Sequence, residues 1–473
     1  MQVTISVVSG AGSTDVLVDA AEDTPAVEVE AALRRLARTP GGAVRVEHPL
    51  LGTGAERRSW DEAGTLRDVG LVQGARVVLG DRPDPEPDPD PDREHEPGLE
   101  LRVVSGQDAG SVHRLAPGDR ELGRSGPVAW QDHSLSRRHC RLRLDEGGAA
   151  VSVTDLGSSN GTRLDGEPCP PHEPRPWRPG QVLAVGDSLV ELHPAAAPDA
   201  APAAAPTSAG DGHLVWGRPP PRPAAYAPQP PPDPAQVGAC ATPAGRGWPR
   251  RWERRRDDPD HLLLRLGTVG HRGAPVTLPL GGLAAGDTVG LVGPDAAVDA
   301  ALRWWLLQLA ALHAPDDLSL DVVGPRVDRS WSWLRWLPHR AGPPGPRPHL
   351  TVHHGAAAPG PAPAGPVVVT GAGLDDLPER CAAVVEVGAH QPSYARLSRP
   401  GAPVVELRLD GVAAGWADRV ARSLAPLVLP GAPASPPEPS TAGAPGLRVR
   451  PLRWSVAEVA RSAADWPSSR GRV

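Results

Sequence analysis

Apolar and polar residues alternate along short runs near the start of the chain. Val3, Ile5 and Val7 alternate with Gln2, Thr4 and Ser6, and Val16 and Val18 repeat the pattern, which predicts a hairpin. Thr24-Pro25 reads as a cap followed by proline in the first helical turn, and Val29, Leu33 and Leu36 then share one helix face. Val44 and Val46 predict a further strand, and residues 66–79 a turn and a closing strand. Residues 1–80 therefore read as one unit of order β-β-α-β-β.

Alternation returns in Cys140-Arg141-Leu142-Arg143-Leu144 and in Ala150-Val151-Ser152-Val153-Thr154. Half-buried strands there throw the intervening polar clusters onto loops at one end of a sandwich. The clusters are Gly123-Arg124-Ser125, Ser136-Arg137-Arg138-His139 and Ser158-Ser159-Asn160-Gly161-Thr162. The unit spans 99–194 and closes on a hairpin over 179–188.

Strand and helix alternate over 261–430. Residues 288–292 read as a buried strand, and Gly293-Pro294 turns into a helix with Val298, Leu302, Trp305, Leu309 and Leu312 on one face. Strands are expected at 318–323, 350–352, 367–370, 383–387 and 404–409. A helix over 412–424 has Pro426 as its stop. The pattern predicts α/β layers.

Composition marks the joints between these units. The 60 prolines and 53 glycines make up about a quarter of the chain and cluster outside the patterned stretches. Residues 81–98 alternate acid with proline and read as an extended spacer. Residues 195–260 form a Pro/Ala/Arg-rich linker, and 431–473 a flexible tail. Within 195–260, Arg250, Arg251, Arg254, Arg255 and Arg256 precede three aspartates, which reads as a solvated, self-paired face.

All 49 basic residues are arginine, phenylalanine is absent, and Asn160 is the only asparagine. A GC-rich coding sequence explains that bias and makes the single asparagine informative. The net charge of −7 argues against a general nucleic-acid binder. Cys140, Cys169, Cys240 and Cys381 show no metal-ligand spacing and suit a reducing compartment. No metal or other cofactor is expected. The start lacks the pattern of a signal peptide, and no apolar run is long enough to span a bilayer. A cytoplasmic location is the expectation.

The chemistry gathers in residues 120–162. A phosphate carrying nearly two negative charges favours a guanidinium fork, because two parallel charge-assisted hydrogen bonds fix geometry better than a point charge. Arg124, Ser136, Arg137 and Asn160 supply guanidinium, hydroxyl and amide donors. The G-R, S-x-x-H and N-G spacing resembles the forkhead-associated (FHA) domain. That resemblance implies a phosphothreonine-binding all-β sandwich of two antiparallel sheets. It makes Arg124 and Ser136 phosphate ligands, Arg137 a flanking ligand and Asn160 the grip on the peptide backbone. Ser159 joins them in the binding set, with Gly123, His139 and Gly161 as structural support.

The first unit's element order resembles ubiquitin-like β-grasp domains of α+β class. The strand–glycine–helix junction at Gly293 invites a P-loop reading. That motif needs glycine, lysine and a hydroxyl where Val298, Asp299 and Ala300 stand. An aspartate in the lysine place repels phosphate, so no enzyme activity is expected. Residues 252–260, 331–339 and 374–381 resemble the segment preceding the motors of FtsK/SpoIIIE-type ATPases of type VII secretion, whose actinobacterial members begin with FHA modules. The C-terminal unit is thus similar to a degenerate P-loop ATPase. The expected architecture is multidomain: β-grasp, FHA sandwich and α/β layers joined by Pro-rich disordered linkers.

The leading expectation is a non-enzymatic phosphothreonine-peptide-binding adaptor whose partners are a threonine-phosphorylated protein and secretion-ATPase components. The alternative is the structural N-terminal half of a split translocase, with the motor encoded separately. A third reading lets Thr207, Thr242 or Thr441, once phosphorylated, occupy the pocket in cis.

Overall fold

Strands β1 (Gln2–Ser9) and β2 (Gly12–Asp19) form the expected hairpin, paired from Gln2 opposite Asp19 to Ser9 opposite Gly12. Helix α1 (Ala26–Ala37) packs its Val29 and Leu33 fully into the core, with Leu36 at the margin. Pro25 holds the N-cap position, one place before the helix, and not the first turn as the sequence suggests. Strand β3 (Val44–Glu47), helix α2 (Leu66–Val69) and strand β4 (Arg76–Leu79) follow; β4 runs parallel to β1 and antiparallel to β3.

Described in this computed structural model are residues 1–39, 41–49, 60, 64–80, 99–130, 132–145, 151–194, 207–210, 212–217, 221, 229–241, 250–270, 272–327, 329–339, 348–355, 365–430 and 448–452. The acidic spacer 81–98, Thr242 and Thr441 lie outside them.

The second unit is a two-sheet sandwich. Its strands are β5 (Leu99–Ser105), β6 (Val112–Leu115), β7 (Gly118–Leu122), β8 (Cys140–Leu144), β9 (Val151–Asp155), β10 (Thr162–Leu164), β11 (Glu167–Pro168), β12 (Pro174–Trp177), β13 (Val182–Val185) and β14 (Ser188–Pro194). One sheet runs β11-β10-β13-β14-β5-β6 and the other β12-β9-β8-β7. Leu142, Val153 and Trp177 from the smaller sheet meet Leu101, Leu183 and Val190 from the larger in one dry core. Pro174 and Pro176 sit on β12, an edge strand, where a missing N–H removes no ladder bond.

Part of the stretch expected to be linker is built into the third unit. Strands β15 (Thr207–Gly210) and β16 (His213–Val215) form a small sheet that β26 (Leu427–Val428) completes, and α3 (Pro234–Gly238) buries Val237. The main sheet contains β17 (Leu263–Val269), β18 (Ala274–Pro279), β19 (Thr288–Val292), β20 (Ser319–Val323), β21 (His349–His354), β22 (Val367–Gly371), β23 (Ala383–Val387), β24 (Tyr394–Ser398) and β25 (Val405–Leu409). Its order is β18-β17-β25-β24-β23-β19-β22-β21-β20, with β23, β19, β22, β21 and β20 parallel.

Helix α4 (Asp295–Leu312) is enclosed nearly all round, where the sequence suggests one apolar face. Trp304, Leu306 and Leu307 are as buried as Leu302 and Leu309. A helix with so little polar surface belongs inside a core. Its two long polar side chains are satisfied there: Arg303 Nε donates to Val412 O at 3.0 Å, and Gln308 Nε2 to Arg265 O at 3.0 Å. Helix α5 (Ala414–Leu424) packs against α4.

The arginine cluster corrects the sequence reading. Arg251, Trp252 and Arg254 are 0% exposed, so the segment is not a solvated face throughout, although Arg256 is exposed and Arg250 and Arg254 pair within the segment with Glu253 and Asp260. The segment caps the C-terminus of α4, whose last four carbonyls have no partners within the helix. His313 N bonds Leu309 O at 2.9 Å, and Trp252 Nε1 bonds Ala310 O at 3.2 Å. Trp252 N and Arg254 N reach Ala311 O and Leu312 O at 2.9 and 3.0 Å. Arg254 also pairs with Asp260 at 3.1 Å, placing cationic charge where the helix dipole is negative. Arg251 lies 4.3 Å over the Trp216 ring and donates to Cys240 O at 2.7 Å.

Part of the expected tail is also ordered: β27 (Arg448–Pro451) adds to the free edge of β2. No helix among the described residues is long and apolar enough to cross a membrane.

Candidate functional site

Three loops meet at one end of the sandwich: residues 123–139 between β7 and β8, 156–161 between β9 and β10, and the 186–187 turn between β13 and β14. The first loop is folded back on itself. Arg124 N donates to Ser136 O and Ser125 N to Arg137 O, both at 3.1 Å, so the Gly123-Arg124 and Ser136-Arg137 clusters lie side by side. Gly123 allows this. A Cβ there would collide with the Arg137 carbonyl oxygen and come within 2.8 Å of that of Ser136.

His139 braces the loop. It is fully buried; Ser136 N–H donates to its Nδ1 at 3.2 Å, and its Nε2 meets Gly161 O at 3.2 Å. Those partners require an accepting Nδ1 and a protonated Nε2, the neutral tautomer. Burial pushes its pKa below the ordinary histidine value, against weaker upward pulls from Gly161 O, Asp155 and Asp132.

Ser136 is tied to the second loop. Its Oγ accepts the Ser159 backbone N–H at 3.1 Å and lies 3.5 Å from Ser159 Oγ. Asn160 is exposed, and its Nδ2 donates to Ser134 O at 2.7 Å, joining the tips of both loops. Gly161 takes φ +72°, a left-handed conformation that glycine adopts without steric cost.

Arg124 and Arg137 are exposed at the same end, and among the described residues neither guanidinium has a hydrogen bond or ion pair. Arg138 differs: it forms a fork with Glu121 at 2.5–2.6 Å, which draws the Glu121 carboxyl below its usual range. Arg124, Ser136, Arg137, Ser159 and Asn160 therefore share one rim, with Gly123, His139 and Gly161 beneath it.

Two carboxylates that sequence reasoning passed over hold the loops. Asp155 accepts Gly157 N, Ser158 N, Ser158 Oγ and Thr162 Oγ1 at 2.6–2.9 Å. Burial raises its pKa, but bonds from Ser158, Thr162 and the two amides outweigh burial and leave it below the usual range. Asp132, 4% exposed, accepts Ser134 N, Ser134 Oγ, Asp187 N and Ser188 Oγ at 2.5–3.0 Å. The available signal was an aspartate just before small turn residues, which favours side-chain-to-backbone turns.

Residues 121–186 match the family model of the FHA domain. The chain carries an FHA domain. Its two-sheet sandwich is residues 99–194 of a multi-sheet, largely β molecule. The chain is also similar to the ESX-4 secretion system protein EccC4 of Mycobacterium tuberculosis, 28% identical over 148 residues, covering 24% of this chain and 11% of that protein. The ESX secretion system protein EccC of Thermomonospora curvata is 32% identical over 137 residues, covering 21% of this chain and 10% of that one. The match thus spans about a tenth of those relatives' length. Among solved structures, the FHA domain of CT664 from Chlamydia trachomatis is 25% identical, covers 21% of this chain and 100% of its own, and gives a TM-score of 0.20. The FhaA FHA domain complexed with the intracellular domain of Rv3910 is 26% identical, covers 20% and 100%, and gives 0.18.

The second constellation weighed in the sequence is the Gly293 junction, at the C-terminal ends of β19, β22 and β21. Asp295 there pairs with Arg326 at 2.9 Å. Asp299 pairs with His354 Nε2 at 3.0 Å, and His354 Nδ1 meets Thr370 Oγ1 at 2.8 Å. Two carboxylates in the first turns of α4 oppose an incoming phosphate. No cluster among the described residues suits a metal ion.

Proposed function

We propose that this protein is a non-enzymatic adaptor that binds a phosphothreonine peptide at the rim formed by Arg124, Ser136, Arg137, Ser159 and Asn160. One observation carries the reading: Arg124 and Arg137 are exposed on backbone segments held side by side by the Arg124 N–Ser136 O and Ser125 N–Arg137 O bonds, with no ion pair to either guanidinium among the described residues. Arg124 and Ser136 would hold the phosphate and Arg137 its flank, with Asn160 gripping the peptide backbone. The carboxylates at the start of α4 support a non-enzymatic role for the third unit.

The partner class is a threonine-phosphorylated protein. The likeness to EccC proteins supports a place beside type VII secretion components, with the first and third units as docking platforms. That likeness also favours a second reading, in which the chain is the structural N-terminal half of a translocase whose motor is encoded separately. Reconstitution with a separately encoded motor subunit distinguishes it: stable co-purification that survives Arg124→Ala favours the second reading.

Titration of paired threonine and phosphothreonine peptides tests the first. Micromolar binding of the phosphopeptide alone, lost on Arg124→Ala, is expected. Equal binding of both peptides, or an unaffected Arg124→Ala variant, sinks it.

A further inference from the structure

The first unit's sheet is closed on one side by residues from far along the chain. Its order is β27-β2-β1-β4-β3, so without β27 it would end on β2. Ala20 N–H donates to Met1 O at 3.0 Å, and Val16 and Val18 stand opposite Ile5 and Val3. By the alternation of an antiparallel ladder, Val16 and Val18 direct their backbone groups to β1, and Asp15, Leu17 and Asp19 direct theirs outward. Leu452 N–H reaches Asp15 O at 2.8 Å, and the register sets Arg450 opposite Leu17 and Arg448 opposite Asp19. An edge with bare N–H and C=O groups is a template for another strand.

That edge is held by contacts that do not involve β27. Asp15 accepts Ser6 Oγ at 2.6 Å and pairs with Arg335 Nε of the third unit at 2.7 Å, while Arg422 Nη2 reaches Ser6 Oγ at 2.8 Å. The strand itself is held lightly. Val449 packs half-buried against the first core and α1, whereas Arg448, Arg450 and Pro451 are exposed. Pro451, like Val449, directs its nitrogen away from β2, so its missing N–H removes no ladder bond and offers none to a further strand.

We propose that the β2 edge is a strand-docking site for an extended partner segment of basic–β-branched–basic pattern, and that residues 448–452 occupy it in cis until such a segment displaces them. The ladder gives affinity for any extended chain, and the alternate side chains give the choice. A β-branched residue fits the place of Val449, and a cation faces Asp19 directly across the pair. With so few buried contacts, the cis strand competes mainly through its high local concentration. The proposal stands apart from the phosphopeptide reading, whose rim lies in the FHA domain.

The probe is a fluorescent peptide of residues 446–453, titrated into the full chain as wild type, Val449→Asp and Arg450→Pro. The first variant sets a charge against the core, and the second removes the N–H opposite Leu17; both open the edge without altering β2. Because Arg450 is exposed, Arg450→Pro leaves the core itself untouched. Either variant should bind the peptide about tenfold or more tighter than wild type, and a peptide carrying Val449→Asp should not bind. Hydrogen exchange gives the second readout: the Leu17 and Asp19 amides lose protection in both variants, Val16 and Val18 keep theirs, and saturating peptide restores Leu17. Equal binding by wild type and both variants, or an unchanged Leu17 amide in both, overturns the proposal. A concentration-dependent wild-type dimer that Val449→Asp abolishes assigns the edge to a second copy and overturns the partner segment. A chain that binds no phosphothreonine peptide refutes the adaptor reading and leaves this test as it stands.

Discussion

Arg265 Nε lies 2.8 Å from Asp410 Oδ2, with both side chains closed off from solvent between the FHA domain and the third unit. Ser105 Oγ, at 2.6 Å, and Thr268, at 2.8 Å from Ser105, complete the cluster. Charges this enclosed persist only when each is paired and hydrogen-bonded.

Asp410→Ala should therefore destabilise the chain by about 3–5 kcal/mol, because it leaves the Arg265 charge buried without its carboxylate. Urea unfolding followed by tryptophan fluorescence measures it. Replacing both partners by Arg265→Met and Asp410→Leu should recover much of the loss. Equal damage from the single and the double replacement would contradict this account.

Gly123→Ala should disrupt the rim without touching a proposed ligand. Its Cβ meets backbone oxygens, which cannot rotate away, so the Arg124 and Ser136 segments must separate. A loss of phosphopeptide affinity of about tenfold or more is expected, as for about 1.4 kcal/mol of binding energy. Gly161→Ala is the comparison: nothing lies within 4 Å, so only its left-handed backbone is strained, at about 1–2 kcal/mol.

His139 gives the site a pH dependence. Burial holds its folded pKa below the ordinary 6.5, which the unfolded chain retains. Between those values the unfolded state binds more protons. Stability is thus complete above about pH 6.5 and falls as pH drops toward the folded value, below which the loss levels off. Protonation also removes the acceptor for Ser136 N–H. A falling protection factor of the Ser136 amide on acidification, with the intrinsic pH dependence of exchange divided out, is the expected sign, and an unchanged protection factor between neutral pH and pH 5.5 would refute it.

Trp252→Ala should cost about 3–5 kcal/mol, the range for deleting a buried large aromatic. It also frees Ala310 O at the end of α4. Thermal unfolding of the full chain checks this; a shift no larger than that of an exposed substitution would mean the segment is peripheral after all.

Magnesium ATP should not raise the unfolding midpoint. A nucleotide at a hundredfold its Kd adds about 2.7 kcal/mol, which such a scan resolves easily. A clear rise would show that Asp295 and Asp299 do not exclude phosphate.

Much of the FHA rim was legible because its chemistry is local. Gly123-Arg124, Ser136 to His139 and Asn160-Gly161 sit at fixed intervals on loops bounded by alternating strands, and a hydroxyl or guanidinium advertises itself by residue type. Asp132 and Asp155 were passed over because a carboxylate in a turn looks solvated until its four donors are in place. The strand Tyr394–Ser398 was missed because it is short and has only two buried positions, Ala395 and Leu397.

The arginine-rich stretch shows where sequence stops. Alone, Arg251 and Arg254 beside aspartates favour solvent, since exposure is the default for charge. Their burial depends on α4 ending with open carbonyls at the right distance, and on Trp216 and Asp260 arriving from elsewhere. The same holds for Arg265 and Asp410, far apart in the chain. Periodicity and residue type determined the strands, the rim and its charge. Which charges were buried, and which unit braces which, was decided only by tertiary structure, because the partners that offset desolvation come from distant segments.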